Sequence, residues 1–227
     1  MRPSGRPRLV LATRNPGKVR EIAAIYAGLG ARLSGLEDWP ALGELPEDGE
    51  TYAENASGKA LAVARATGLP ALADDSGIEV DALGGAPGVR SRRLLGEAAS
   101  DDARNAYVLA QLAGLPAPRR TARYRAVIAL ATPDGRVQMF EGVCEGAIAE
   151  RPRGTGGFGY DPIFEIAGDG RTMAEVPPGV KNEISHRARA LRAARSAVAR
   201  ALGPAGQEGS AVDANSGEAS PSGGKGA

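Results

Sequence analysis

The chain has 227 residues, with 28 Lys+Arg against 27 Asp+Glu, a formal net charge of +1, one His, one Cys, 32 Gly and 4% aromatic residues. That length fits one large domain or two small ones and is enough to bury a sizeable core. The near-neutral balance lacks the broad positive field that nonspecific nucleic-acid binding requires. A single cysteine, Cys144, excludes an intramolecular disulfide and leaves Cys-based zinc or iron–sulfur sites without ligands, as suits a reducing cytoplasm. The first apolar stretch, Leu9 to Ala12, is too short for a signal peptide or a membrane span. The expectation is a cytoplasmic protein that binds neither nucleic acid nor membrane.

In chain order, residues 1–7 read as a flexible N-terminus and Arg8 to Ala12 as a short buried strand. The turn Thr13-Arg14-Asn15-Pro16-Gly17 and a helical pattern from Lys18 to Leu29 follow. Thr51 to Thr67 predicts a second helix, stopped by Gly68 and Pro70, and residues 71–75 (ALADD) a second buried strand. Alternation at Ile78, Val80 and Ala82 then leads into a Gly/Pro turn. Asp101 to Ala113 reads as a third helix, capped by Ser100 and ended by Gly114 and Pro116. Tyr124 to Ala131 and Val137 to Ala149 predict a long antiparallel hairpin around Pro133-Asp134-Gly135. Ile184 to Leu202 reads as the last helix, with Ser185 near its start. From Gly203 onward Gly, Ala, Ser and Glu dominate, too little apolar surface to offset chain ordering, so 203–227 is expected to be a disordered tail. Helices alternating with strands, followed by a hairpin, give an α/β fold with a mixed sheet over residues 8–202.

Four segments carry the chemistry. Residues 13–18 (TRNPGK) join a buried strand to a helix N-terminus, where free backbone N–H groups and the positive dipole end attract anions; Arg14 and Lys18 add charge, and the Walker spacing is absent. An ordinary capped helix explains this segment equally well. Residues 73–77 (ADDSG) put two adjacent carboxylates at a strand end, a costly arrangement unless a cation or hydrogen bonds offset it, and Mg²⁺ needs only one or two such ligands. Glu44, Glu47, Asp48, Glu50 and Glu54 are candidates for a further carboxylate, and an Asx turn with solvated aspartates is the plain alternative. Residues 154–164 (GTGGFGYDPIF) combine a glycine-rich backbone with Phe158 and Tyr160, rings suited to stacking on a planar group or, more simply, to anchoring a turn. Residues 181–191 (KNEISHRARAL) hold the single histidine, His186, beside Arg187, with Lys181 before the helix cap. The chain has only four lysines, and Lys18, Lys59 and Lys181 all fall in these or neighbouring polar segments, Lys59 one turn after Asn55.

Taken together, LATRNPGKVREI, TYAENASGKA, ADDSGIEVDALGGAPGVRSRR, GTGGFGYDPIF and KNEISHRARAL closely resemble the Ham1/RdgB-like family of noncanonical purine nucleoside triphosphate pyrophosphatases, from about Leu9 to Leu202. The resemblance implies an elongated mixed-sheet α/β fold of two lobes with a central cleft, a homodimer, and Mg²⁺-dependent hydrolysis of ITP, dITP and XTP to the monophosphate and pyrophosphate. It further implies that Thr13, Arg14, Asn15, Pro16, Gly17 and Lys18 hold the triphosphate and that Asp75 is catalytic base and metal ligand. Glu47 becomes the other metal ligand, Lys59 a phosphate-neutralising residue and Ser76 a substrate contact. Phe158, Gly159, Tyr160 and Asp161 would cover base and sugar, while Lys181, His186 and Arg187 bind the purine and its 6-oxo group. Two positions depart from the family pattern: Tyr52 stands where Phe is common, and Arg92 where a small residue is usual. Rival readings are a Maf-like pyrophosphatase of modified pyrimidine nucleotides, against which the SHR and FGYD segments argue, and a nucleotide sensor that does not hydrolyse.

Overall fold

The computed structural model describes residues 6–203; the tail beyond Gly203 and residues 1–5 lie outside the described residues. Six strands form one sheet in the order β2-β1-β3-β4-β5-β6. They are β1 (Arg8–Leu11), β2 (Arg32–Ser34), β3 (Ala71–Val80), β4 (Thr121–Ala131), β5 (Val137–Ile148) and β6 (Phe164–Ile166). β1 runs parallel to β2 and β3, and the remaining pairs are antiparallel, so the mixed sheet is as expected. The helices are α1 (Pro16–Ile25), α2 (Tyr52–Thr67), α3 (Asp101–Gln111), α4 (Pro178–Ile184) and α5 (His186–Leu202).

Several boundaries differ from the sequence reading for local reasons. Asn15 caps α1 by accepting from the N–H groups of Gly17 and Lys18, so the helix begins at Pro16, before Lys18. It ends at Ile25, not Leu29. The second strand, expected over residues 71–75, does not stop at Asp75: β3 runs unbroken for ten residues because every one of them from Ala71 to Val80 is registered against β4. The last helix begins at His186 rather than Ile184, since Ser185 takes an extended backbone and caps α5 through the Ala188 N–H, and α4, just before it, has no counterpart among the expected helices. β2, short and at the sheet edge, has no periodicity to announce it.

Alternation along β3 and β4 divides the interior. Leu72, Ile128 and Leu130 face a core shared with α1 and α5, whereas Ala71, Ala73, Val127, Ala129 and Ala131 face a core shared with α2. Further along the first of these faces, Ile78, Val80, Tyr124 and Cys144 join a separate core with α3 and β6 neighbours such as Phe164. Between the two cores on that face the β3 row reads Asp74 and Ser76. A polar belt thus separates two apolar cores on one face of the sheet. α5 is held close over β5: a Cβ on Gly142 would stand 2.1 Å from the His186 carbonyl oxygen and 2.6 Å from the Ala190 nitrogen.

Candidate active site

β1 pairs with β3 only as far as Leu11 and Leu72, so beyond Leu72 the β1-side edge of β3 opens at the carboxyl end of β1, where α/β sheets place ligands. The Asp74 carbonyl in this stretch accepts from Lys18 Nζ at 3.3 Å and Lys59 Nζ at 3.2 Å. α1 therefore brings Lys18, and α2 brings Lys59, to one peptide.

Strand alternation sends the two neighbouring aspartates to different partners. Asp74, with a fully buried side chain, forms ion pairs with Lys18 and with Arg187 Nε at 2.9 Å, and accepts from Ser76 Oγ at 2.9 Å. Burial alone would raise its pKa, but Arg187 and Lys18 outweigh it and hold the carboxyl well below the usual carboxylate range. Arg187 also donates to Glu21 at 2.5 Å and to Ser76 Oγ at 2.9 Å. Glu21 also pairs with Lys181 at 2.8 Å, and Lys181 with Asp161 at 2.5 Å. Lys18, Arg187 and Lys181 are thus balanced by Asp74, Glu21 and Asp161 in one continuous chain of charges.

Asp75 faces α2 instead. Its carboxylate accepts from Asn55 Nδ2 at 3.1 Å and pairs with Lys59 Nζ at 3.2 Å, and Lys59 also pairs with Glu47 at 2.7 Å. Asn55 and Lys59 share the buried stripe of α2, whose start is fixed by a Thr51/Glu54 capping box. Burial pushes the Asp75 carboxyl up against the pull of Lys59 and Lys18. For Lys59 the opposite holds: burial would lower it, yet Asp75 and Glu47 raise it.

The remaining expected site residues are placed as follows. Thr13 Oγ1 accepts from the Asn15 N–H, and exposed Arg14 donates to the carbonyls of Leu42 at 2.5 Å and Gly43 at 3.2 Å, away from Asp74. Phe158 lies over Gly17, where a Cβ would approach its ring to 2.6 Å, and Lys181 Nζ stands 4.6 Å from the ring centroid. Only one of the two expected aromatic faces is presented: Tyr160 is a core ring whose hydroxyl donates to the Ser91 carbonyl at 2.8 Å. Gly159 follows Phe158 with φ +66°, the left-handed region that glycine tolerates. Asp161 accepts from the Phe158 N–H at 2.9 Å and from the Tyr124 hydroxyl at 3.2 Å. His186 stacks on Tyr124 with centroids 4.6 Å apart, and its buried Nδ1 has no partner. Burial, reinforced by Arg187, keeps its pKa well below the ordinary histidine value, so the ring is neutral. Sequence reasoning missed Glu21, which joins Lys181 to Arg187, and Tyr124, which carries His186. Glu21 sits three residues after Lys18 on α1, a helical spacing that could have flagged it.

At the carboxyl end of β1 in a mixed α/β sheet, Lys18, Lys59 and Arg187 gather on Asp74 and Asp75, with Lys181 joined through Glu21, a concentration of cations suited to a polyanionic small molecule. The pattern of the Ham1 family matches residues 9–197. The chain is 56% identical over 184 residues to a dITP/XTP pyrophosphatase of Geobacter sulfurreducens, covering 81% of this chain and 92% of the relative. A dITP/XTP pyrophosphatase of Thermus thermophilus is 53% identical over 186 residues, covering 82% and 89%. Among solved structures, a Ham1 protein from Coxiella burnetii superposes with a TM-score of 0.78 at 40% identity, covering 86% of this chain and 99% of its own. A nucleoside-triphosphatase and dITP/XTP pyrophosphatase from Mycobacterium abscessus gives 0.68 at 44% identity, covering 82% and 97%. The chain belongs to the Ham1 family.

Proposed function

We propose that this protein hydrolyses the α–β phosphoanhydride of noncanonical purine nucleoside triphosphates, dITP, ITP and XTP, to the monophosphate and pyrophosphate, removing them before they enter DNA or RNA. The observation that carries the reading is the meeting of Lys18, Lys59 and Arg187 at Asp74 and Asp75, with Lys181 joined to them through Glu21, in a Ham1-family fold.

The residues present suit a hard divalent ion. Glu47 and Asp75 converge on one cation, the Lys59 ammonium, and two carboxylates complemented by substrate phosphate oxygens and water satisfy Mg²⁺. Glu47 and Asp75 would hold it, and when bound it neutralises charge on the phosphates. Asp75, seated between Asn55 and Lys59, accepts the proton of the water that attacks the α-phosphorus. Lys18 and Lys59, with the positive end of the α1 dipole, offset charge growing on the departing pyrophosphate; the first N–H groups of α1, expected to be free, are instead taken by Asn15. Thr13 to Lys18 form the phosphate-binding turn, and Ser76, fixed by Arg187, lies beside it. Phe158 covers the base, with Gly159, Tyr160 and Asp161 shaping its loop. His186, Lys181 and Arg187 supply donors to the 6-oxo group, so that an adenine 6-amino group would leave buried donors facing donors. The enzyme is proposed to act as a cytoplasmic homodimer; among the described residues no helix is long and apolar enough to cross a membrane.

The test is pyrophosphate release over a panel of ITP, dITP, XTP, GTP and ATP, with and without Mg²⁺. Release from the first three, abolished by a chelator, is expected. Orthophosphate release, or ITP binding without hydrolysis, would refute the reading.

A further inference from the structure

Both backbone polar groups of Gly159 are taken by one helix that the proposed chemistry does not use. Its N–H donates to Asp101 Oδ2 at 2.8 Å, and its carbonyl accepts from Asn105 Nδ2 at 3.1 Å. The second oxygen of Asp101 accepts from Arg104 Nη1 at 2.8 Å. Asp101 is half-exposed, but Arg104 is 2% and Asn105 3% exposed. Arg104 Nε, Arg104 Nη2 and Asn105 Oδ1 have no partner, and buried polar groups left over in this way call for an explanation. We propose that Asp101, Arg104 and Asn105 of α3 are positioning residues that grip Gly159 and thereby set the neighbouring Phe158 ring for the purine; the inference rests on the function proposed above.

The Phe158 ring gains its place from backbone tethers. On one side its own N–H is tied to Asp161, and on the other the next residue is tied to α3. The ring lies on Gly17, which offers a backbone surface and no side chain. A Cβ at Gly159 would meet nothing within 4 Å, so the loop is not wedged there by packing. Arg104 fixes the rotamer of Asp101 from inside the protein, at the cost of two unused donors. Removing either acceptor or donor on α3 frees one side of the Gly159 peptide and lets the ring wander.

The experiment measures ITP kinetics for Asp101→Ala, Asn105→Ala, Asp101→Asn, Phe158→Ala and the Phe158→Ala/Asp101→Ala double variant, with amide hydrogen exchange of residues 156–161 in nucleotide-free protein. Asp101→Ala and Asn105→Ala are each expected to raise KM about tenfold with kcat within about twofold, the scale of one lost hydrogen bond. Exchange over the loop quickens in both. Asp101→Asn keeps an acceptor for the Gly159 N–H and recovers most of the KM loss. In the Phe158→Ala background, Asp101→Ala adds no further KM increase. Additive KM effects, a fall in kcat at unchanged KM, or unaltered exchange would overturn the proposal; should Asp101→Ala not fold, Asn105→Ala and Asn105→Ser decide it. Absence of pyrophosphate release by the wild-type protein refutes the proposed function instead, and the exchange measurement together with ITP binding then still judges the tether.

Discussion

Replacing Asp74 with Asn keeps the side-chain shape and removes one charge from a balanced set. Lys18, Lys181 and Arg187 are matched by Glu21, Asp74 and Asp161, so the amide leaves one buried positive charge uncompensated. Removing one partner of a buried pair costs about 3–5 kcal/mol. For a domain of this size each kcal/mol moves Tm by roughly 2–4 °C, so the melting temperature should fall by about 6–20 °C. Because the excess charge is positive, an inorganic tripolyphosphate should raise the Tm of the variant more than that of the wild type. Asp75→Asn is the control: Lys59 retains Glu47 at 2.7 Å, so the loss of stability there should be the smaller. Calorimetry with and without tripolyphosphate, in chelator, reads all three quantities. A Tm drop below about 2 °C, less than one kcal/mol on the same scale, or equal stabilisation of both proteins by the anion would refute the charge-balance reasoning.

In contrast to its mild effect on stability, Asp75→Asn should lower pyrophosphate release by several orders of magnitude, measured under saturating ITP and Mg²⁺. Near-wild-type turnover would exclude Asp75 as the proton acceptor. Gly17→Ala places a methyl 2.6 Å from the Phe158 ring, so the ring must shift; KM for ITP should rise while the fold persists, and unchanged KM would separate Phe158 from the base. His186 has its folded pKa depressed below the ordinary 6.5, so the stability it contributes is present above that pH and is lost as the pH falls toward the folded value. Because it is the only histidine, His186→Gln should flatten the decline of the urea midpoint between pH 7 and 5.5, a window in which Asp74, already ionised, adds no slope. An identical decline in both proteins would show that His186 is not held neutral.

The polar turns were the most readable part of the chain. Asn15 before Pro16, Thr51 before Glu54 and Ser185 before His186 are caps whose chemistry is local, and each stands where its helix begins. The two carboxylates of ADDSG were also visible, but not their division of labour. That depends on β3 continuing without a break, which is decided by the long-range pairing with β4 rather than by Ser76-Gly77. Tyr160 illustrates the same limit: an aromatic in a glycine-rich loop can stack on a ligand or fill a core, and only Ser91, distant in sequence, settles which. β2 and the partnership of Glu21 with Arg187 are likewise products of tertiary neighbours.

The opposite facing of Asp74 and Asp75 has a bearing on how the gene can change. Residues along β3 can be exchanged singly, each with its own local penalty, but a single codon gained or lost before Asp74 within the strand would exchange the two sides. The carboxylate that neutralises Arg187 would turn toward Lys59, and the one beside Asn55 would turn toward α5. Ten registered pairs with β4 resist absorbing such a slip. Length variation should therefore collect in the connections, such as the stretch carrying Glu47, while β3 itself keeps its residue count.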